Sequence, residues 1–169
     1  ARTGWFISQD FSAKTAGNEH GDYSVNASTT EKLFRFVARG GGQDDNTFLK
    51  IGISDLRLPV NSLKNSYGSF TVSVINAKTG KVLERFSNLD LNPNSLNYIA
   101  LRIGDQFDEW DQGEEVYVSN ANTGLPNNSS YIRVEMYGVS NATEWSVERT
   151  NALPFGFVGP VRPKSMTLH

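Results

Sequence analysis

The residues in this chain best suited to chemistry are acidic. Asp105, Asp108, Glu109, Asp111, Glu114 and Glu115 fall in one short stretch together with Trp110, and a hard cation such as calcium takes several carboxylate oxygens from a single loop. The spacing departs from that of an EF-hand, whose third position needs Asp or Asn. Counting from Asp105 or Asp108, that place is held by Phe107 or Trp110. The simpler reading is a solvated acidic surface, or one that meets Arg and Lys of a partner. Asp105, Asp108 and Asp111 are kept as a metal-binding alternative. Nucleophilic catalysis finds less support, because a Ser nucleophile needs a His base oriented by a carboxylate. The chain has no Cys and only two His, His20 in a polar loop near Gly17 and Gly21, and the final His169. Gly40-Gly41-Gly42-Gln43-Asp44-Asp45 presents carboxylates where a phosphate cradle offers backbone amides and Lys, and Lys78-Thr79-Gly80-Lys81 is followed by Val82 where a phosphate loop needs Ser or Thr. The second reads as a turn. No two acids stand out on facing strands, so a carboxylate hydrolase has no assignable pair. The triplets beginning at Asn26, Asn127, Asn128 and Asn141 match the glycosylation pattern, as an Asn- and Ser-rich chain does by chance. The expectation is a non-enzymatic protein that uses no cofactor.

Composition narrows the partners. The 169 residues carry 16 Lys and Arg against 18 Asp and Glu, a net of -2, which argues against a surface built to neutralise a polyphosphate. Nucleic acid is therefore not expected. No stretch approaches the roughly eighteen apolar residues of a membrane helix, so no membrane partner is expected either. The length suits one domain. A chain opening at Ala1 with an already domain-like Trp5-Phe6-Ile7 is read as a piece of something longer, expected to be monomeric when isolated.

The elements that must position these residues are mostly strands. Trp5–Ile7 forms an apolar knot, Lys32–Arg39 is rich in aromatic and β-branched residues, and Phe48–Ser54 alternates with Leu49, Ile51 and Ile53 on one face. Phe70–Ile75 and Lys81–Phe86 flank the Gly-containing segment 76–80, a hairpin. Behind Asn92-Pro93 the apolar residues Leu96, Ile99, Ala100 and Ile103 recur at three and four, which predicts one short helix near 93–104 that ends at Gly104. An acidic loop, 105–115, follows. Strands at 116–118, 131–137 and 145–147 complete a mainly β, α+β chain. Its expected form is an antiparallel β-sandwich or open barrel. Residues 1–152 read as a single β-rich domain. In 153–169, three Pro and two Gly deny regular structure while Phe155 and Phe157 still want burial, so this segment reads as a strap across a neighbouring surface or the junction to a further domain.

Three segments add a resemblance. GSFTVSV at 68–74 and VLERFSNLDLNPNSLNYIALRIGD at 82–105 closely resemble the central segment of the tail sheath proteins of contractile-tailed phages, T-even-like and marine forms especially. Gly4–Ile7, Lys32–Phe36, Tyr131–Glu135 and Leu153–Phe157 look like the flanking parts of the same region; 8–30 and 138–150 match least. The resemblance implies a domain of a longer structural virion subunit, assembled in the host cytoplasm. Copies would stack helically around the tail tube and, triggered by the baseplate, contract to drive genome delivery by re-packing rather than by bond chemistry. Its partners would be other sheath subunits, tail tube and baseplate proteins. Nothing in 1–169 matches the terminal arms that link family subunits. Within that frame Asp108, Glu109, Trp110 and Asp111 become a candidate subunit-contact patch, an aromatic anchor among charges; the other reading has Trp110 closing the core beneath the loop. The alternative function is a secreted carbohydrate- or surface-binding β-sandwich module, with calcium in the acidic loop.

Overall fold

Side-chain alternation decides which faces of the strands meet. The computed structural model describes residues 2–8, 32–40, 48–59, 67–121, 125–137 and 153–160. In chain order the elements are β1 (Phe6–Ile7), β2 (Lys32–Ala38), β3 (Leu49–Arg57), β4 (Ser69–Asn76), β5 (Val82–Leu89), α1 (Ile99–Ile103), β6 (Gln106–Asp111), β7 (Val116–Ala121), β8 (Ile132–Met136) and β9 (Phe157–Pro160). They form a three-stranded sheet β1-β2-β8, a four-stranded sheet β5-β4-β3-β9 and a two-stranded ribbon β6-β7, every named pair antiparallel. The chain is mainly β with one short helix, and no sheet among the described residues closes into a barrel.

On β2 and β8 the paired Phe34 and Met136, Phe36 and Val134, and Ala38 and Ile132 are buried, while the intervening Arg35 and Glu135 face away. Leu49, Ile51 and Ile53 of β3 and Phe70, Val72 and Val74 of β4 are buried in the same core. The two sheets meet where the Phe34 and Phe70 rings stack with centroids 5.8 Å apart. Phe6 stacks on Phe34 at 5.2 Å, so even the two-residue β1 contributes an aromatic ring to that contact. Stacked aromatics are favourable beyond their buried area. The far face of the four-stranded sheet is also partly covered, since Gly52, Thr71 and Ser73 are buried.

Three expectations change. The helix is shorter than 93–104, because residues 92–97 bond to their own side chains. Asn92 Oδ1 accepts from Asn94 N at 3.0 Å, Ser95 Oγ accepts from Asn97 N at 3.1 Å, and Asp90 Oδ1 accepts from Asn92 N at 3.1 Å. Such local bonds compete with a helical ladder. Tyr98, paired with Asp90 in a parallel bridge, is the residue before the first turn, and Leu96 is 83% exposed rather than on a buried helical stripe. Second, the acidic stretch is no open loop: 106–111 and 116–121 pair as β6 and β7, with only 112–115 in the turn. Third, the C-terminal segment has regular structure despite its Pro and Gly. Leu153 is buried, Pro154 bridges Ser8, and β9 pairs with β3 from Ile53↔Phe157 to Lys50↔Pro160. Pro is tolerated there because β9 is an edge strand. The strand expected at 145–147, and residues 161–169, lie outside the described residues.

Truncating Phe34 to Ala should cost about 3–5 kcal/mol and Leu153→Ala about 2–5 kcal/mol in urea unfolding. A near-neutral Leu153→Ala would show that the C-terminal segment adds nothing to the core.

Candidate subunit-contact region

The geometry around the acidic stretch begins at the end of α1. Gly104 has φ +99, a conformation that L side chains rarely adopt. A Cβ there would lie 2.4 Å from Asn127 Cα and 2.4 Å from the Pro126 carbonyl oxygen. Gly104 is thus required twice, by its own dihedral and by the backbone pressed against it. That neighbouring segment, 125–130, is held by a dense set of bonds. Ile103 O accepts from Asn128 N at 2.9 Å and Ser129 N at 3.2 Å, Gly104 O accepts from Val134 N at 2.9 Å, and Asp105 Oδ1 accepts from Leu125 N at 3.3 Å. Asn127 Nδ2 donates to Gln106 O at 2.7 Å and Asn128 Nδ2 to Leu101 O at 3.0 Å.

From here the segment reaches both sheets. Ser129, fully buried, donates its hydroxyl to Glu84 Oε2 on β5 at 2.5 Å, and Ser130 N donates to Glu84 Oε1 at 2.9 Å. Arg39, just past β2, donates from Nη1 to Ser129 O. One serine therefore ties the four-stranded sheet to the three-stranded one. The two overlapping glycosylation-like triplets at Asn127 and Asn128 coincide with this joint, and their side chains are engaged in it.

Asp105 is completely buried at the base of the ribbon. Burial first, then the charges of Asp105 and Tyr67, pushes the Tyr98 phenol well above its ordinary value. Asp90 is also raised by burial, against hydrogen bonds from Ser95 and Asn92 that hold it down. Asp108, Glu109, Trp110 and Asp111 lie along β6, paired in register with Ser119, Val118, Tyr117 and Val116. Their side chains fall outside the described residues, as do His20, residues 41–47 and the triplets at Asn26 and Asn141. Among the described residues no three His, Asp or Glu side chains gather to hold a metal ion. Positions 108 and 111, three apart on a strand, belong to opposite faces of the ribbon. Lys78 and Thr79 sit in the β4–β5 turn, as read from the sequence.

A second cluster escaped the sequence reading. On the outer face of the three-stranded sheet, Trp5 packs edge-on to Tyr137 at 5.1 Å, and the Arg35 guanidinium lies 4.3 Å over the Trp5 ring. Arg35 Nε donates to Glu135 Oε2 at 2.5 Å, Arg133 Nη1 stands 3.1 Å from Glu135 Oε1 as a charge contact without hydrogen-bond alignment, and Arg133 lies 4.9 Å over Phe107 at the base of β6. Burial raises the Glu135 pKa, but Arg35, by hydrogen bond and charge, together with Arg133 outweighs that and holds it below the ordinary carboxylate value. The alternation of Arg35 with buried Phe34 and Phe36 was the available signal; its pairing with Glu135, a hundred residues on, had none.

No protein-family model matches the chain, and no curated protein or solved structure shows significant similarity to it.

Gly104→Ala should destabilise by at least ~3 kcal/mol, combining a strained dihedral with a backbone collision. Ser129→Ala, which leaves Glu84 short of a donor, should cost about 1–3 kcal/mol; both are read from chemical denaturation. Glu135 has a depressed folded pKa, so its contribution is complete above the ordinary carboxylate range and is lost as pH falls through the folded value. Glu135→Gln should therefore flatten the acid limb of the stability–pH curve, and an unchanged limb would refute the pairing.

Proposed function

We propose that this chain is a domain of a contractile tail sheath subunit, a structural part of a virion whose copies polymerise around a tail tube and re-pack on contraction. The observation that supports the reading is the block VLERFSNLDLNPNSLNYIALRIGD at 82–105. Its residues are the ones on which this fold turns: Glu84 receives Ser129 and Ser130, Leu89, Leu91, Ile99 and Ile103 are core, and Gly104-Asp105 hold the 125–130 segment. A motif spent on packing suits a protein whose work is mechanical, since the free energy of a contracting lattice resides in interfaces between rigid bodies. In this reading β6 carries the subunit-contact patch at Asp108–Asp111. Catalysis plays no part, and the function needs no cofactor.

Electron microscopy of the parent protein decides the matter. Tubes or sheath-like polymers are the expected result, and their failure to appear under every assembly condition would remove the proposal.

A further inference from the structure

The charges of this nearly neutral chain are sorted along its length. Residues 56–83 hold Arg57, Lys64, Lys78 and Lys81 and no carboxylate, whereas residues 103–132 hold the acids from Asp105 to Glu115 and no Lys or Arg. The fold places Lys78 and Lys81 on one hairpin and the acids from Asp108 to Glu115 on another, while Arg57 ends β3 and Asp105 is buried before β6. Lys78 and Lys81 are exposed at the β4–β5 turn, beside Val82, which is 47% exposed, and near Lys50, whose register partner on β4 is Ile75. This turn is rigidly built. Asn76 Oδ1 accepts from Lys78 N at 2.9 Å and Thr79 N at 3.2 Å, Thr79 Oγ1 accepts from Lys81 N at 3.3 Å, Gly80 supplies φ +73, and the Lys78 ammonium stands 3.9 Å over the Phe48 ring. The acidic hairpin is aimed as firmly from its base by the Asn127–Gln106 bond and the Arg133–Phe107 contact. Glu114 and Glu115 are exposed at its tip. A two-stranded ribbon is marginally stable alone, so it gains from a partner.

We infer that the basic β4–β5 turn of one copy of this chain receives the acidic β6–β7 tip of a second copy. Charge complementarity names the occupant: the β4–β5 turn presents Lys78 and Lys81 with no carboxylate in 76–83, and the β6–β7 tip presents Glu114 and Glu115 with no cation in 103–132, so identical copies attract head to tail. The two surfaces are different parts of one chain, which makes the contact heterologous, and such contacts propagate instead of closing in pairs. The inference deepens the sheath reading by naming which surfaces meet, and takes its biological setting from it. Exposed ion pairs are individually weak and screened by salt, which suits a contact that is broken and remade.

Zero-length coupling tests it. A carbodiimide activates a Glu carboxylate and leaves as its urea when a Lys amine displaces it to form an amide. In a concentrated, low-salt mixture of isotopically light and heavy protein, peptides joining Lys78 or Lys81 of one copy to Glu114 or Glu115 of another are expected. Their yield should fall about tenfold in high salt. In E114K/E115K or K78E/K81E alone, which each lack one reacting partner, the links should be absent, and they should return when the two variants are mixed, where Lys78 and Lys81 of one meet Glu114 and Glu115 of the other. Absence of these inter-copy links, or a loss that mixing does not repair, overturns the inference. Polymers of the parent linked through other residues would overturn this contact and leave the sheath reading standing. These links in a parent that never polymerises would support the contact and remove the sheath reading.

Discussion

The close approach of residues 126–127 to Gly104 is the constraint on which the rest of the molecule depends. Without a side chain at 104 the backbone of the 125–130 segment drops into contact with the end of α1, and only from that depth can Ser129 meet Glu84 on one sheet and Arg39 beside the other. Ser129 is satisfied in both directions, whereas Asn127 Oδ1 is buried in the same segment without a hydrogen-bond partner among the described residues. Ser129 donates to Glu84 and accepts from Tyr131 N and Ile132 N, which start β8 in register with β2. A buried polar cluster is costly unless its members are paired, so this joint fixes one arrangement of the sheets where the apolar core alone would tolerate several.

The same segment sets where the ribbon points. Asp105 at 0% exposure, Asn127 and Arg133 hold its first residues from three sides. A path of packed charges and rings then runs from Phe107 through Arg133, Glu135 and Arg35 to Trp5 and Tyr137. Force applied to the ribbon would therefore enter the three-stranded sheet through side chains already locked by ion pairs and ring contacts.

Much of the fold was legible because its signals are local. The period-two alternation of Leu49, Ile51 and Ile53, the turn residues Asn76 to Gly80 and the stop at Gly104 each depend on neighbours a few positions away, and each appears in the structure. Apolar spacing starts the helix too early because the side chains of Asp90, Asn92 and Ser95 satisfy the backbone of 92–97, a competition that spacing does not register. The strand at 116–118 is legible and appears within β7, whereas 106–111 reads as a loop because its carboxylates mask the β-forming Phe107 and Trp110.

By itself the sequence determined a mainly β chain, the strands other than β6 and β9, the β4–β5 hairpin, the apolar faces that build the core, and the separation of the Lys of 56–83 from the acids of 103–132. Tertiary structure alone decided that Glu84 meets Ser129 across 45 residues, that Arg35 meets Glu135 across 100, and that β9 completes the sheet beside β3. The physical reason is the range of the interactions. Periodicity and turn chemistry are written in adjacent residues, whereas a buried hydrogen bond or ion pair between distant strands exists only after packing has brought its partners together and excluded the water that would otherwise serve each of them.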